Sequence, residues 1–329
     1  MNIAIVILNY NGIELLKQFL PSVVANSKEA SLYIIDNGST DSSLQYLAEN
    51  FSNINLINNE KNLGYAGGYN HGLREIKEDL ICLLNSDVEV TANWLESIKA
   101  SFEENPDLGI AQPKILDYKN KNRFEYAGAS GGFIDKYGFP FCRGRVFDWV
   151  EVDNCQYNDS IEILWASGAC FFIRNSLFKD LGGFDASFFA HMEEIDLCWR
   201  AFNQNHKCRV VPQSTVYHLG GGTLNYGTPQ KTFLNFRNSL FMLVKNLPHH
   251  LFRTLVVRMT FDGLAFFKMM LELKPRHAFA IFQAHFYFYF HFPKYLNQRR
   301  TMKNTTRYYK TKSIVWSYYV NKIKTSDCL

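Results

Sequence analysis

The run Ile81-Cys82-Leu83-Leu84 stops abruptly in Asn85-Ser86-Asp87, and no other stretch of the chain restricts its possible folds as much. Four apolar residues in succession call for a strand covered on both faces. Such a strand delivers whatever follows it to the carboxyl edge of a parallel sheet, where open α/β sheets bind ligands. Asp87 is thereby a candidate metal ligand or a group on the phosphate side of a ligand.

The residues before it alternate in kind. Ile3 to Leu8 is an aliphatic strand closed by Asn9-Tyr10-Asn11-Gly12, and Glu14 to Ala25 carries Leu15, Leu16, Phe19, Leu20 and Val23 at helical spacing. A second strand, Ser31 to Ile35, ends in Asp36-Asn37-Gly38-Ser39-Thr40-Asp41, which supplies an N-cap for a helix with Leu44, Tyr46 and Leu47. Ile54 to Ile57 gives a third strand. This is the βαβ grammar of a parallel sheet. Asp36 stands where a carboxylate accepts from a ribose hydroxyl or a base N–H, although an Asx-turn uses the same residues. Four glycines between Gly64 and Gly72 read as a loop that can approach a diphosphate, followed by a helix ending near Glu78. The spacing matches neither the dinucleotide nor the Walker pattern.

Trp94 to Phe102 reads as a helix, and Ile110 to Ile115, broken by Pro113, as an edge strand. From Lys119 to Asp159 glycines alternate with aromatics, as in a long excursion lining a pocket, with Arg143 and Arg145 read as solvent-facing. Leu164 to Ile173 is a strand with small residues at its centre. In the segment that follows, Met192, Ile195, Trp199 and Phe202 share one helical face; Glu193 and Asp196 share another, and Glu194 lies about 100° round from Glu193. Acids in a first helical turn favour the helix dipole; with Asp87 elsewhere they also offer one site for a metal and one for a general base. His218 follows a strand and precedes a glycine run, where an imidazole can join Asp87 on a divalent ion or sit as a satisfied structural histidine.

Charge divides the chain. Residues 1–228 hold 18 Lys+Arg and 28 Asp+Glu, a net of −10, whereas residues 229–329 hold 17 and 3, a net of +14. The second part is also rich in Phe and Tyr. Its longest uncharged run, residues 278–292, falls short of the roughly 20 residues that span a bilayer. A basic, aromatic surface suits an anionic leaflet; packing onto the preceding domain or a second subunit is the plainer use. No stacking module or zinc motif accompanies the basic residues, so nucleic acid is not an expected partner. The seven cysteines show no CxxC pairing and read as buried thiols of a reducing compartment. The amino terminus lacks a basic n-region and reads as a strand, not a signal peptide.

Taken in order, Val6-Ile-Leu-Asn9-Tyr10-Asn11-Gly12, Ile35-Asp36-Asn37-Gly38-Ser39-Thr40-Asp41, Asn62-Leu63-Gly64 through Asn70, Leu84-Asn85-Ser86-Asp87, Gly182-Gly183-Phe184-Asp185 and Glu193-Glu194-Ile195-Asp196 resemble the family 2 glycosyltransferases, in particular a rhamnosyltransferase-like branch that builds surface polysaccharides. The resemblance covers residues 3–245. It implies an α/β GT-A fold with a mostly parallel central sheet and flanking helices, followed by a helical, basic and aromatic C-terminal region. The implied domains are 1–228, with a nucleotide-binding half to about 115 and an acceptor-side half from 116, and then 229–329.

The activity implied is inverting transfer of a sugar from a nucleotide-diphosphate donor, dTDP-rhamnose or a UDP-sugar, to a lipid-linked or oligosaccharide acceptor. Asp36, with Asn9, Tyr10, Asn11, Gly64 and Asn70, would hold the nucleoside. Asn85-Ser86-Asp87 stands at the family's DxD, so Asp87, with His218, would bind Mg²⁺ or Mn²⁺. The family's Glu-Asp pair is here Glu193-Glu194, which makes Glu194 the expected base, with Glu193 and Asp196 as alternates. The implied location is the cytoplasmic face of the cell membrane, peripherally bound, with a homo-oligomer possible. A non-catalytic nucleotide-sugar-binding relative is the alternative from another class, and a nucleotidyltransferase the remaining enzyme reading.

Overall fold

A computed structural model describes residues 1–220 and 227–329. The alternation of aliphatic runs and helical spacings folds as β1 (Ile3–Asn9), α1 (Ile13–Asn26), β2 (Ser31–Asp36), α2 (Ser43–Asn50), β3 (Asn55–Asn58), α3 (Gly64–Gly72) and β4 (Leu80–Asn85). There follow β5 (Val88–Val90), α4 (Glu96–Glu104) and β6 (Leu108–Asp117), then four short strands, β7 (Gly132–Ile134), β8 (Pro140–Cys142), β9 (Arg145–Val146) and β10 (Trp149–Val150). Next come β11 (Glu162–Ile163), β12 (Cys170–Arg174), α5 (Asn175–Asp180), α6 (Glu193–Asn203) and β13 (Lys207–His218). Four helices complete the described chain: α7 (Pro229–Asn246), α8 (Leu251–Leu271), α9 (Pro275–Asn297) and α10 (Ile314–Tyr319).

The central sheet runs β11-β13-β6-β12-β4-β1-β2-β3, with β5 on β13. β1 pairs in parallel with β2 and β4, β2 with β3, and β13 with β6. β12 enters antiparallel between β4 and β6. Successive strand residues point to opposite faces, so Ala4 and Val6 join one apolar cluster while Ile3, Ile5 and Ile7 join the other. Helices cover both clusters, as the architecture expected from sequence requires.

Several elements differ from their sequence reading. β6 is interior, not an edge. Its Pro113 lies where β13 bulges between Val211 and Thr215, so the missing N–H falls where the ladder is already interrupted. The strand read from Leu164 begins only at Cys170, and the helix read from Trp94 begins at Glu96, leaving Trp94 buried with its Nε1–H donating to Ser27 Oγ at 3.0 Å. The excursion after Lys119 builds a second, antiparallel sheet, β7 to β10. Arg145 is buried there, not solvent-facing: its Nε–H donates to the Tyr126 carbonyl at 2.9 Å and its guanidinium stacks on the Tyr126 ring. All seven cysteines are free thiols, and Cys155 and Cys328 are exposed rather than buried.

The glycine-rich segment is the most informative departure. It is not a loop before a helix; Gly64–Gly72 is itself the helix α3, and the helix expected to end near Glu78 stops at Gly72. The glycines serve packing. A Cβ on Gly68 would stand 2.8 Å from Leu8 Cδ1, and one on Gly72 would stand 2.3 Å from Ile35 Cδ1 and 2.5 Å from its Cγ1. Helix α3 therefore rides closer to the sheet than any side chain would allow. Glycine's poor helix propensity, about 1 kcal/mol per residue, is offset by this burial.

Replacing Gly72 with alanine is expected to lower stability by about 1–3 kcal/mol through overpacking against a buried β-branched side chain. Gly263 sits in α8, where a Cβ would meet nothing within 4 Å, so Gly263→Ala should instead gain about 0.5–1 kcal/mol. Denaturant midpoints of the two variants, moving in opposite directions, check the argument.

Candidate active site

Three segments far apart in sequence meet beyond the carboxyl ends of β4 and β13. Asp87 follows β4 directly, and β5 pairs with β13 so that Val88 lies opposite His218. This register brings His218 Nε2 to 3.1 Å from Asp87 Oδ1. On the other side of the ring, Nδ1 lies 3.4 Å from Glu125 Oε1, an ion-pair distance without hydrogen-bond geometry. All three side chains are buried. Burial alone would lower the histidine's pKa, but the Glu125 charge, and then Asp87, raise it to about 10.

Glu125 escaped the sequence reading. Its only signal was an acid set between two aromatics, Phe124 and Tyr126, inside a glycine-rich excursion. Its second oxygen accepts the Ala127 N–H at 2.6 Å, which fixes the carboxylate toward His218. Among the described residues no cluster of three or more His, Cys, Asp or Glu side chains forms a ready-made metal cage. The donor set nevertheless fits a hard divalent cation of the Mg²⁺ or Mn²⁺ kind. Such ions need only one or two protein carboxylates when substrate phosphates supply the remaining oxygens, and Asp87 offers one beside the His218 imidazole.

Helix α6 brings the second group of acids. Phe189, His191 and Met192 all adopt positive φ, which turns the chain sharply into the helix after the Gly182-Gly183 turn. Within α6, Ile195 and Trp199 are buried and Met192 and Phe202 pack against the same cluster, as their spacing required. The three acids then divide. Asp196 is fully enclosed and committed: its Oδ2 accepts from Arg200 Nε at 2.8 Å and Lys245 Nζ at 2.9 Å, and its Oδ1 from Asn246 Nδ2 at 2.7 Å. Against the penalty of burial, Lys245 and then Arg200 hold its pKa below the usual carboxylate value.

Glu193 and Glu194 have no such partners. One oxygen of each, Oε2, is buried without a hydrogen bond. Desolvation, with the Glu194 charge second, pushes Glu193 well above the ordinary range. Glu194 keeps some contact with solvent although protein surrounds its carboxyl; burial pushes it up to about 7, opposed by the backbone N–H groups at the start of α6.

Gly168 and Ala169 lie between the two acidic groups. A Cβ at Gly168 would lie 3.0 Å from Tyr65 Oη and 4.0 Å from Glu194 Cδ. Tyr65 Oη–H donates to the Gly168 carbonyl at 2.9 Å, and the neighbouring Ala169 carbonyl accepts the Asn85 N–H at 2.9 Å. The antiparallel entry of β12 thus links the end of β4 to the start of α6.

A polar network surrounds the end of β1. Asn9 Nδ2 donates to Asp36 Oδ1 and to Ser39 Oγ, each at 3.1 Å, and Asp36 Oδ2 accepts the Ser39 N–H at 2.9 Å. Asn11 accepts from the Thr40 N–H at 2.7 Å, and Tyr10 is exposed beside it. Asn9 Oδ1 is buried and without a partner, an orphan acceptor facing Gly12, whose Cβ would stand 2.5 Å away. Ser86 Oγ lies 4.0 Å from the same point. Two further residues read as nucleoside contacts, Gly64 and Asn70, also make contacts within the protein. Gly64 lies beneath the Phe189 ring, 2.6 Å from where its Cβ would be. Asn70 engages both backbone groups of Phe184 with its amide, at 2.7 and 2.8 Å, which ties α3 to the turn before α6. The glycine run after His218 continues into residues 221–226, outside the described residues.

With this geometry in view, comparison with known proteins is specific about the family. The sequence profile of glycosyl transferase family 2 matches residues 4–182, more than half the chain. A hexosyltransferase of low-salt glycan biosynthesis, Agl10 from Haloferax volcanii, is 25% identical over 245 residues, covering 72% of this chain and 74% of its own. An N-acetylglucosaminyl-diphospho-decaprenol L-rhamnosyltransferase from Mycobacterium tuberculosis is 27% identical over 222 residues, 62% of this chain and 71% of its own. Among solved structures, the mannosyltransferase PcManGT from Pyrobaculum calidifontis, in complex with GDP-Man and Mn²⁺, superposes with a TM-score of 0.53 at 10% identity over 86% of each chain. That likeness is one of GT-A-like fold.

The Asp196 cluster generates a prediction of its own. Lys245 also binds Asp185 Oδ2 at 2.8 Å, so one ammonium serves the buried Asp196 and the partly buried Asp185, carboxylates from separate segments. Lys245→Met removes the ammonium from both, leaving Asp196 to Arg200 and Asn246 and Asp185 to Ser187, and should cost about 3 kcal/mol, read as a fall of the denaturant midpoint at pH 7. Both carboxylates have lowered pKa values. Their contribution is present above the ordinary carboxylate pKa and is lost as pH falls through the lowered folded values, so the deficit of the variant should shrink in acid.

Proposed function

This chain belongs to glycosyl transferase family 2, whose members move a sugar from a nucleotide-diphosphate donor to an acceptor, and from that premise we propose a single-displacement, inverting transfer with Glu194 as general base. The observation that supports the proposal is the approach of two unlike groups to the same short segment, Gly168-Ala169, which meets Glu194 on one side and the Asn85 N–H on the other. One is the Asp87–His218 pair beyond the sheet edge; the other is a carboxyl on α6 whose pKa of about 7 suits proton transfer at neutral pH. Asp196 is committed to Lys245 and Arg200, and Glu193 is the more strongly neutralised of the adjacent pair, which leaves the role to Glu194.

Asp87 and His218, with Asn85 and Ser86 beside them, would hold Mg²⁺ or Mn²⁺ on the donor's diphosphate. A divalent ion there offsets the charge that the departing nucleoside diphosphate gains. Glu125, 3.4 Å from Nδ1 on the far side of His218, would favour a proton on that nitrogen and so leave Nε2 available to the ion, as outer-shell carboxylates do for metal-binding histidines. Asn9, Tyr10, Asn11 and Asp36 hold the nucleoside end. Glu194 takes the proton of an acceptor hydroxyl as its oxygen forms a bond to the anomeric carbon. The bond from that carbon to the diphosphate oxygen breaks on the opposite face, so the configuration inverts and no covalent enzyme intermediate forms.

For the substrates, we propose dTDP-rhamnose, with a UDP-sugar as the other donor class, and a lipid-linked or polysaccharide acceptor hydroxyl at the inner face of the cell membrane. The mycobacterial relative is named as an L-rhamnosyltransferase acting on a polyprenyl-diphosphate sugar, which supports both choices.

A thermal-shift panel of nucleotide-sugars with and without Mn²⁺, followed by turnover of the stabilising donor, tests the reading; no stabilisation by any of them would overturn it. Glu194→Gln should reduce turnover by about 10²–10⁴-fold while leaving the donor-induced shift intact. A binding-only protein would show no turnover to lose. Because the base must be ionised, wild-type turnover should rise with pH through about 7 and level off above it. The same raised pKa means that ionisation of Glu194 opposes folding above the ordinary glutamate pKa, so the Gln variant should melt at a higher temperature than wild type at pH 8.

A further inference from the structure

The hairpin of α8 and α9 is built inside out for a water-soluble element. Between the helices lies a buried polar lock: Asp262, fully enclosed, accepts from Arg258 Nε at 2.9 Å through Oδ1 and contacts His285 Nε2 at 3.1 Å through Oδ2. Outside are large apolar side chains. Phe282, Phe286 and Phe290 follow one another along α9 with their rings in contact, at 57%, 56% and 70% exposure. On α8, Phe267 is 65% exposed, and Leu271 and Leu273 at the turn are 86% and 87% exposed. Tyr289 Oη–H reaches Met259 Sδ at 3.6 Å and bridges the two helices. Soluble chains rarely leave so continuous an apolar surface uncovered.

We propose that this hairpin lies in the plane of an anionic bilayer and seats the enzyme there by its outer face. Charge selects this occupant. Helix α9 contains no acidic residue, and Arg276 and Lys294 flank its aromatic stripe, while Lys274 before it pairs with Glu272 at 2.8 Å. A second copy would present the same positive charge to itself, whereas anionic headgroups complement it. Among the described residues no helix is long and apolar enough to cross a membrane, so the contact is in-plane rather than spanning.

The hairpin's turn is tied to α7: His277, in the first turn of α9, pairs its Nδ1 with Thr232 Oγ1 at 2.8 Å. The proposal rests on the sugar-transfer reading only for the consequence that a lipid-borne acceptor arrives beside Glu194; the surface itself stands on the exposed side chains and charge.

Flotation of the full chain with phosphatidylcholine vesicles, with and without phosphatidylglycerol, tests the proposal. Wild type should float with the anionic vesicles and be partly released by high salt. The double variant Phe282→Ser, Phe286→Ser should lose at least tenfold of the floated fraction while keeping its thermal midpoint and its donor-induced thermal shift, since both side chains point to solvent. Wild type remaining unfloated, or the variant floating as wild type does, overturns the proposal. So does a wild-type dimer in solution that the double variant dissolves, because the face would then belong to a second copy. An intact donor-induced shift in any of these cases leaves the sugar-transfer reading standing.

Discussion

An imidazole held between two buried carboxylates is the constraint on which this structure turns. His218 ends one strand, Asp87 follows another, and Glu125 comes from an excursion between them. None of the three would be tolerable in its place alone, because a buried unpaired charge costs several kcal/mol. Together they tie the end of β13 and the residues after β4 to the excursion that follows β6, and set two carboxylates beside the position proposed for a diphosphate-bound cation. Stability and chemistry thus draw on the same charges.

Helix α6 shows the same economy with the opposite resolution. Its three acids sit within one turn, yet Asp196 is neutralised by Arg200 and Lys245 while Glu193 and Glu194 are left without counter-charges. The committed acid anchors the helix on α7; the uncommitted ones rise in pKa, and Glu194, at about 7, becomes able to exchange protons near neutrality. The strained entry at His191 and Met192 is held by Asn238, whose amide donates to the carbonyls of Phe188, Ala190 and His191. The basic C-terminal region therefore does more than follow the α/β part of the chain: its first helix supplies the lysine and the asparagine that hold α6 in place.

Glycine acts here by absence. Gly68 and Gly72 let α3 lie against Leu8 and Ile35, and Gly168 leaves the space between Tyr65 and Glu194. Both effects depend on what lies opposite in space. Neither is visible in a glycine count, which is why a segment that reads as a flexible loop is a tightly packed helix.

Hydrophobic periodicity alone determined the strand–helix order as far as Asn85, the two-sided burial of the strand before Asp87 and the buried face of α6, because each is a local pattern whose period the backbone geometry imposes. Local pattern also placed Asp87, Glu194 and His218 at element ends, where ligands are met. What tertiary structure decided were the relations between elements. It put β6 inside the sheet despite Pro113, by a bulge on its neighbour; it gave Glu125 to His218, Asp196 to Lys245 and Asn70 to the backbone of Phe184; and it turned some of the C-terminal aromatics inward and others outward. Those outcomes follow from pairings between residues tens to more than a hundred positions apart, and the free energy of a buried charge or an exposed ring is set by its neighbours in space, not by its neighbours in the chain.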